Sequence, residues 1–431
     1  MIYFNINNPA QRVTLFEAVM RSVSGESGLY MPEKIPHLGD SFFRNIRGMT
    51  LSEIACKVIE PFFAEDVASD VLEKIIDEAL NFEIPLVGIG KEIHVLELFH
   101  GPTFAFKDVG ARFLAGILGY LASDLKREIT VLVATSGDTG GAVANAFSGK
   151  TGIKVIILYP SGRVSRIQEE QLLKAGSNII AIELTGDFDD CQRLVKKAFA
   201  DRDLNEKLVL TSANSINLAR LIPQSVYYFY AWAKIKGKGK PVYFSVPSGN
   251  FGNLTAGLIA KKMELPVGGF VASTNINRSV PLFLETGNFI PHPSFRTISN
   301  AMDVGNPSNF RRILQLYGND LYEIKKDISG FWFTDESTRA GMQELYEKHS
   351  YIADPHTAVA YLGLRKFMKL VRCSGVFLAT AHPGKFPEEV LKATGLNVTL
   401  PGLHNGAVKE SQHVKAPADF GFLKDLLYNL F

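Results

Sequence analysis

The chain has 431 residues, 46% hydrophobic and 21% charged, which excludes a disordered chain and suggests two or three domains. Lys and Arg total 46 against 44 Asp and Glu, for a formal charge of +2, too balanced for a general nucleic-acid binder. Three cysteines at 56, 191 and 373 stand far apart with no CxxC spacing, which excludes a disulfide framework and a cysteine zinc site and suits a reducing compartment.

Met1-Ile2-Tyr3-Phe4-Asn5 has neither the basic start nor the apolar run of a signal peptide. The longest candidate span, Phe113 to Ser123, falls short of the about 20 residues that cross a bilayer. A cytoplasmic protein without membrane or nucleic-acid partners, and without a metal site, is therefore expected. Residues 1–90 read as a helical segment poor in strong strands. Thr50-Leu51-Ser52-Glu53 opens one helix with a capping box. Asp66 to Leu80 forms another, with Val67, Val71, Leu72, Ile75, Ile76 and Leu80 on one face.

Beyond Pro85 and Gly88-Ile89-Gly90, short apolar runs alternate with helical stretches. Strands are expected at Thr130–Ala134, Lys154–Tyr159, Asn178–Leu184, Val242–Val246, Phe270–Ser273 and Val376–Thr380. Helices are expected at Ala142–Phe147, Arg166–Lys174, Asp190–Phe199 and Leu254–Met263. Continuous apolar strands between helices imply α/β architecture, with mostly parallel sheets covered by helices on both faces. Ligands then bind beyond the strand C-termini. The expected division is 1–90 helical segment, 91–220 smaller α/β domain and 221–431 larger α/β domain. Asn277 to Asn309 reads as an irregular, site-lining connection. Gly237-Lys238-Gly239-Lys240 reads as a charged turn, and the tail beyond about residue 400 as loop plus a helix from Ala418 to Leu430.

Four loops carry candidate chemistry. Ser248-Gly249-Asn250-Phe251-Gly252-Asn253 joins a strand to a helix, as a phosphate cradle or a plain tight turn does; neither GK[ST] nor GxGxxG is present. Ser136-Gly137-Asp138-Thr139-Gly140-Gly141 has the same context. Ser136 and Thr139 there suit a carboxylate ligand, while Asp138 or Thr139 suits a helix cap equally well. Lys107 follows aromatic residues in His100-Gly101-Pro102-Thr103-Phe104-Ala105-Phe106-Lys107-Asp108. It is either a buried amine of lowered pKa or a surface partner of Asp108. Asn214-Ser215-Ile216-Asn217-Leu218-Ala219-Arg220 offers donors for a phosphate monoester, or a capped helix start with an arginine in solvent. His382 follows an apolar strand and His100 precedes Lys107. Neither HExxH nor GxSxG occurs.

Taken in order, HGPTFAFKD, ATSGDTGG, SANSINLAR, VPSGNFGN, SNAMD and LATAHPGKF resemble the threonine synthase family. The likeness is to its short bacterial and fungal type, within the fold-type II pyridoxal-phosphate enzymes. The resemblance covers nearly the whole chain, including Ser27-Gly28-Leu29-Tyr30-Met31-Pro32. It implies that Lys107 binds pyridoxal 5′-phosphate as a Schiff base. Gly249, Asn250, Phe251, Gly252 and Asn253 then cradle the cofactor phosphate, and Thr380 faces the pyridine nitrogen. Asp138 stands where many such enzymes carry an asparagine near the cofactor hydroxyl. Ser136 and Thr139 are implied for the substrate carboxylate, and Asn214, Ser215 and Arg220 for a substrate phosphate. The implied reaction takes O-phospho-L-homoserine and water to L-threonine and phosphate, by γ-elimination and β-addition of water, with Lys107 as general base and one domain closing over the other. A serine or threonine dehydratase is the rival reading; the cluster around Arg220 argues against it, because those substrates carry no phosphate.

Overall fold

A computed structural model of the chain describes all residues except 23–27, 124, 126, 174, 236–238, 403–410 and 430–431. Ser27, Lys174, Gly237, Lys238 and Leu430, named above, lie outside the described residues. The strands in chain order are β1 (Tyr3–Asn5), β2 (Asn8–Val13), β3 (Tyr30–Pro32), β4 (Leu86–Gly88), β5 (Ile93–Glu97), β6 (Ile129–Ala134), β7 (Ile153–Pro160), β8 (Ile179–Thr185), β9 (Val209–Ser212), β10 (Val242–Pro247), β11 (Gly269–Thr274), β12 (Ile328–Trp332), β13 (Ser374–Ala379) and β14 (Gln412–Pro417).

The N-terminal segment contains the expected helices, Leu51–Phe63 and Ser69–Ala79, and Thr50 and Glu53 exchange both bonds of the capping box. It also carries an antiparallel sheet in the order β2-β1-β3. β2 is largely exposed and polar, so it lacks the apolar run by which a strand is read from sequence.

Two larger sheets follow, ordered β14-β8-β7-β6-β9 and β12-β11-β10-β13-β5-β4. Every pairing in them is parallel except β4 with β5. Both faces are covered. In β6, Ile129, Val131 and Val133 join one core cluster and Leu132 and Ala134 another. In β13, Val376 and Leu378 are parted from Phe377 and Ala379 in the same way. This is why such strands are apolar at every position rather than at alternate ones.

Sheet membership departs from the expected division in two places. β4 and β5, beside the boundary at residue 90, belong to the larger sheet, and β14, from the far tail, becomes an edge of the smaller one. β14 pairs only with β8 and exposes most of its side chains, so it too lacks an apolar signature. The connection 277–309 is less irregular than expected, because it holds the helix Ser279–Thr286 and the short turn Asn300–Met302. Among the described residues, no helix is long and apolar enough to cross a membrane.

One buried cation ties the N-terminal segment to the sheets. Arg312 is fully buried and donates to the carbonyls of Tyr30 and Ile216 and to Asn309 Oδ1. Burial lowers its pKa to about 9. Its bonds run to neutral oxygens, which costs less than burying a bare charge and still fixes three segments. Arg312→Leu strands those carbonyls and is expected to lower the unfolding free energy by about 3 kcal/mol, read as a lower urea midpoint.

Candidate active site

The loops at the C-terminal ends of β5, β6, β9, β10 and β13 converge. Lys107, Ser136, Asp138, Thr139, Asn214, Ser215, Arg220, Thr380 and residues Gly249 to Asn253 all line one cavity of about 100 Å³. Ser136 and Phe188 also line a neighbouring cavity of about 630 Å³ between the two sheets. Every site residue implied by the resemblance therefore lies at one place.

The loop after β10 approaches its surroundings closely. A Cβ on Gly249 would lie 2.6 Å from the Ala301 carbonyl oxygen. Phe251 has φ of 60°, in the left-handed region, as it turns the chain into the helix Gly252–Lys262. The first amides of that helix have no intrahelical acceptor. Asn250 spends its side chain on Ser215 Oγ (2.7 Å) and the Ser308 amide (2.6 Å). Asn253 Oδ1 accepts from Tyr228, while its buried Nδ2 has no acceptor among the described residues.

After β6, the alternative of a cap by Asp138 or Thr139 does not hold. The Thr135 hydroxyl accepts from the amides of Gly137 (3.0 Å) and Gly140 (2.8 Å), which leaves the other side chains of that loop for the cavity. Asp138 begins the helix Asp138–Phe147 and is buried. One carboxylate oxygen lies 2.7 Å from Lys385 Nζ and accepts from Gln168 Nε2 at 2.8 Å; the other lies 3.6 Å from Lys107 Nζ. Burial alone would raise this carboxyl, but the charges of Lys385 and Lys107 and the bonds from Lys385 and Gln168 hold it well below the usual carboxylate range. Lys107 is lowered, chiefly by burial, with Asp138 opposing and Lys385 and Arg220 adding to the effect. Asp108, its sequence neighbour, is buried on Thr103 instead of pairing with it. The lysine loop is stitched to the end of β13, where the Phe106 amide donates to the Thr380 carbonyl at 2.9 Å.

After β9, Asn217 rather than Asn214 caps the following helix. Asn214 lines the cavity, and its amide also donates to and accepts from the Ala134 backbone, so it fixes the end of β6. Arg220 is buried, not in solvent. One of its nitrogens donates to the Ala213 carbonyl, and its Nε has no acceptor among the described residues. Burial lowers its pKa to about 10.

The two histidines read from sequence are elsewhere. His100 pairs with Glu97, and His382 accepts from the Gly384 amide and packs against Phe99 and Phe104. His356, which sequence reasoning missed, does line the cavity. Its Nε2 accepts from the Ala301 amide and its Nδ1 donates to buried Asp354, which seats the Asn300–Met302 turn over the phosphate loop. Gln168 and Lys385 were missed as well; each is a single polar residue in a motif that carries no signal alone.

A family model for pyridoxal-phosphate dependent enzymes matches residues 83–376, and models for the threonine synthase N terminus and C-terminal region match 2–80 and 357–425. Threonine synthase of Escherichia coli (strain K12) is 40% identical, covering 100% of both chains. The chain belongs to the threonine synthase family. A crystal structure of threonine synthase from Escherichia coli superposes with a TM-score of 0.94 at 39% identity over 100% of both chains. That of pyridoxal-phosphate-bound threonine synthase from Brucella melitensis gives 0.91 at 33% identity, covering 100% of this chain and 99% of that one.

Pyridoxal phosphate is thus the cofactor of this enzyme, and the cavity fits it. The site supplies a buried amine of lowered pKa, helix-start amides that lack an intrahelical acceptor, and donors on Arg220 and Asn253 with no acceptor among the described residues. Gly249→Ala pushes a methyl into Ala301 and Met302. It is expected to weaken cofactor binding about tenfold or more with far-UV circular dichroism unchanged, as measured by titrating the cofactor-free protein with pyridoxal phosphate.

Proposed function

We propose that the substrate is O-phospho-L-homoserine, converted with water to L-threonine and phosphate, the last step of threonine biosynthesis. One observation carries this reading. A second cluster suited to an anion, Ser215 with Arg220, shares the cavity with the SGNFGN loop, and the buried Arg220 Nε has no acceptor among the described residues. A substrate without phosphate leaves that group unpaired.

The residues divide the work as follows. Lys107 would hold the cofactor through its amine, Gly249 to Asn253 would hold the cofactor phosphate with helix-start amides, and Thr380 would face the ring nitrogen. Ser136 and Thr139, at the start of their own helix, hold the substrate carboxylate. Bound pyridoxal phosphate supplies an electron sink that acidifies the substrate Cα–H. Lys107, freed and of lowered pKa, takes that proton and serves the later transfers from the same side, removing a proton at Cβ, returning one to Cγ after phosphate leaves, and returning one to Cα at the end. Arg220 and Ser215 take up the charge of the departing phosphate, with donors already oriented and shielded from water. Phe106, Phe188 and Val304 line the same cavity and restrict water until elimination is complete, after which water adds at Cβ. Closure of the cleft between the two sheets belongs to the same proposal. The buried, unbridged Cys191 and Cys373 suit a cytoplasmic enzyme.

O-Phospho-L-homoserine is expected to yield phosphate and threonine in equal amounts. Release of 2-oxobutyrate from threonine as the main activity would contradict the reading. Arg220→Ala is expected to cut kcat/KM by about 10- to 100-fold, from the loss of a charge-assisted bond, while the yellow colour of the bound cofactor persists. Loss of the colour would assign Arg220 to the cofactor instead.

A further inference from the structure

Lys385 comes from the far end of the chain, in the short turn Pro383–Lys385. Its side chain is 0% exposed. Its Nζ contacts Asp138 Oδ1 at 2.7 Å and donates to the Thr103 carbonyl at 3.0 Å. Thr103 opens the loop that carries Lys107, and its amide and hydroxyl both donate to buried Asp108. Lys385 therefore joins two loops of the site, the one that carries Asp138 and the one that carries Lys107. The proposed reaction gives it no role.

We propose that Lys385 is a positioning residue that takes the Asp138 carboxylate as its permanent counter-ion, so that Lys107 is released to act as a neutral amine. The geometry shows an unequal share. Asp138 gives its near oxygen to Lys385 and Gln168 and leaves the other at 3.6 Å from Lys107. A lone Asp138–Lys107 pair, buried and close, would hold Lys107 as ammonium, and an ammonium neither attacks a carbonyl nor accepts a proton. With Lys385 fixed on the carboxylate, the site keeps one neutral ion pair whichever protonation state Lys107 has. The same ammonium holds the Thr103 carbonyl, which ties the lysine loop to Asp138 through Lys385. The charged groups around Lys107 are Asp138, Lys385 and Arg220, with Asp108 directly behind it in the helix Lys107–Ser123 and the His356 imidazole across the cavity. Of these, Lys385 alone contacts the Asp138 carboxylate at ion-pair distance apart from Lys107 itself.

The inference rests on Lys107 as the point of cofactor attachment. Its test is a pH titration of the visible absorbance of the full-length, cofactor-loaded enzyme. Lys385→Gln keeps a donor near Asp138 and Thr103 and removes only the charge. It is expected to raise the spectral midpoint by about one pH unit or more and to lower kcat at least about tenfold, with KM changed less than about threefold. Lys385→Arg is expected to return the midpoint to near the wild-type value. A Lys385→Gln enzyme that is folded and coloured but keeps the wild-type midpoint would overturn the proposal and leave Lys385 as a hydrogen-bonded clip. Should the Gln variant fail to fold, Gln168→Leu serves instead. It strips the second donor from the same oxygen and leaves both lysines in place, so a smaller rise is expected, and an unmoved midpoint contradicts the proposal. Failure of the underlying reading looks different: Lys107→Ala would then retain the visible band that it is expected to lose.

Discussion

Asp138 is an ionised carboxylate buried at the start of a helix, and such a group must be neutralised where it stands. Lys385 meets that requirement at 2.7 Å with a bond from Gln168, while Lys107 stands at 3.6 Å, and the three come from segments as distant as residues 107, 168 and 385. The charge thereby fixes how the lysine loop, the helix of Gln168 and the turn after β13 sit on one another. The same cluster decides which of the two lysines is free. The nearer one is committed to the carboxylate, and the farther one faces the cavity with its pKa lowered by burial.

The rest of the fold serves to bring that cluster beside the SGNFGN loop and Arg220. Parallel strands end on one side of each sheet, so the loops after β6 and β9 face those after β10 and β13 across a single cavity. Net charge says little about such a site. The chain is almost balanced, yet its cavity gathers helix-start amides, one buried guanidinium and a few hydroxyls, the kind of local donors that small phosphorylated ligands need. Broad cationic surfaces are needed for polyanions and not for these.

What sequence shows of this protein follows from where physical signals are local. β6, β7, β8, β10, β11 and β13 are buried on both faces, so they read as continuous apolar runs. The loops after β5, β6, β9, β10 and β13 are each ambiguous alone, and it is their order along the chain, through the family it resembles, that makes Lys107, Ser136, Asp138, Arg220 and Thr380 stand out. β2 and β14 escaped because they are exposed edges with polar side chains. The helix Ser279–Thr286 escaped because it carries Pro281 within a proline- and asparagine-rich stretch. Lys385, Gln168 and His356 escaped for a different reason. Each acts through a tertiary contact to one residue of a known motif, and no spacing within the chain announces it. Asn214 shows the converse: a motif residue of the cavity lining whose amide also bonds the neighbouring strand, which no spacing announces.

The central claim is that Lys107 is the reactive amine of this cavity. It is tested most directly by reducing the cofactor-loaded enzyme with borohydride and mapping the added mass by peptide mass spectrometry. The account predicts a single pyridoxyl adduct on the peptide containing Lys107. An adduct on Lys385, or on any lysine outside the cavity, would contradict it.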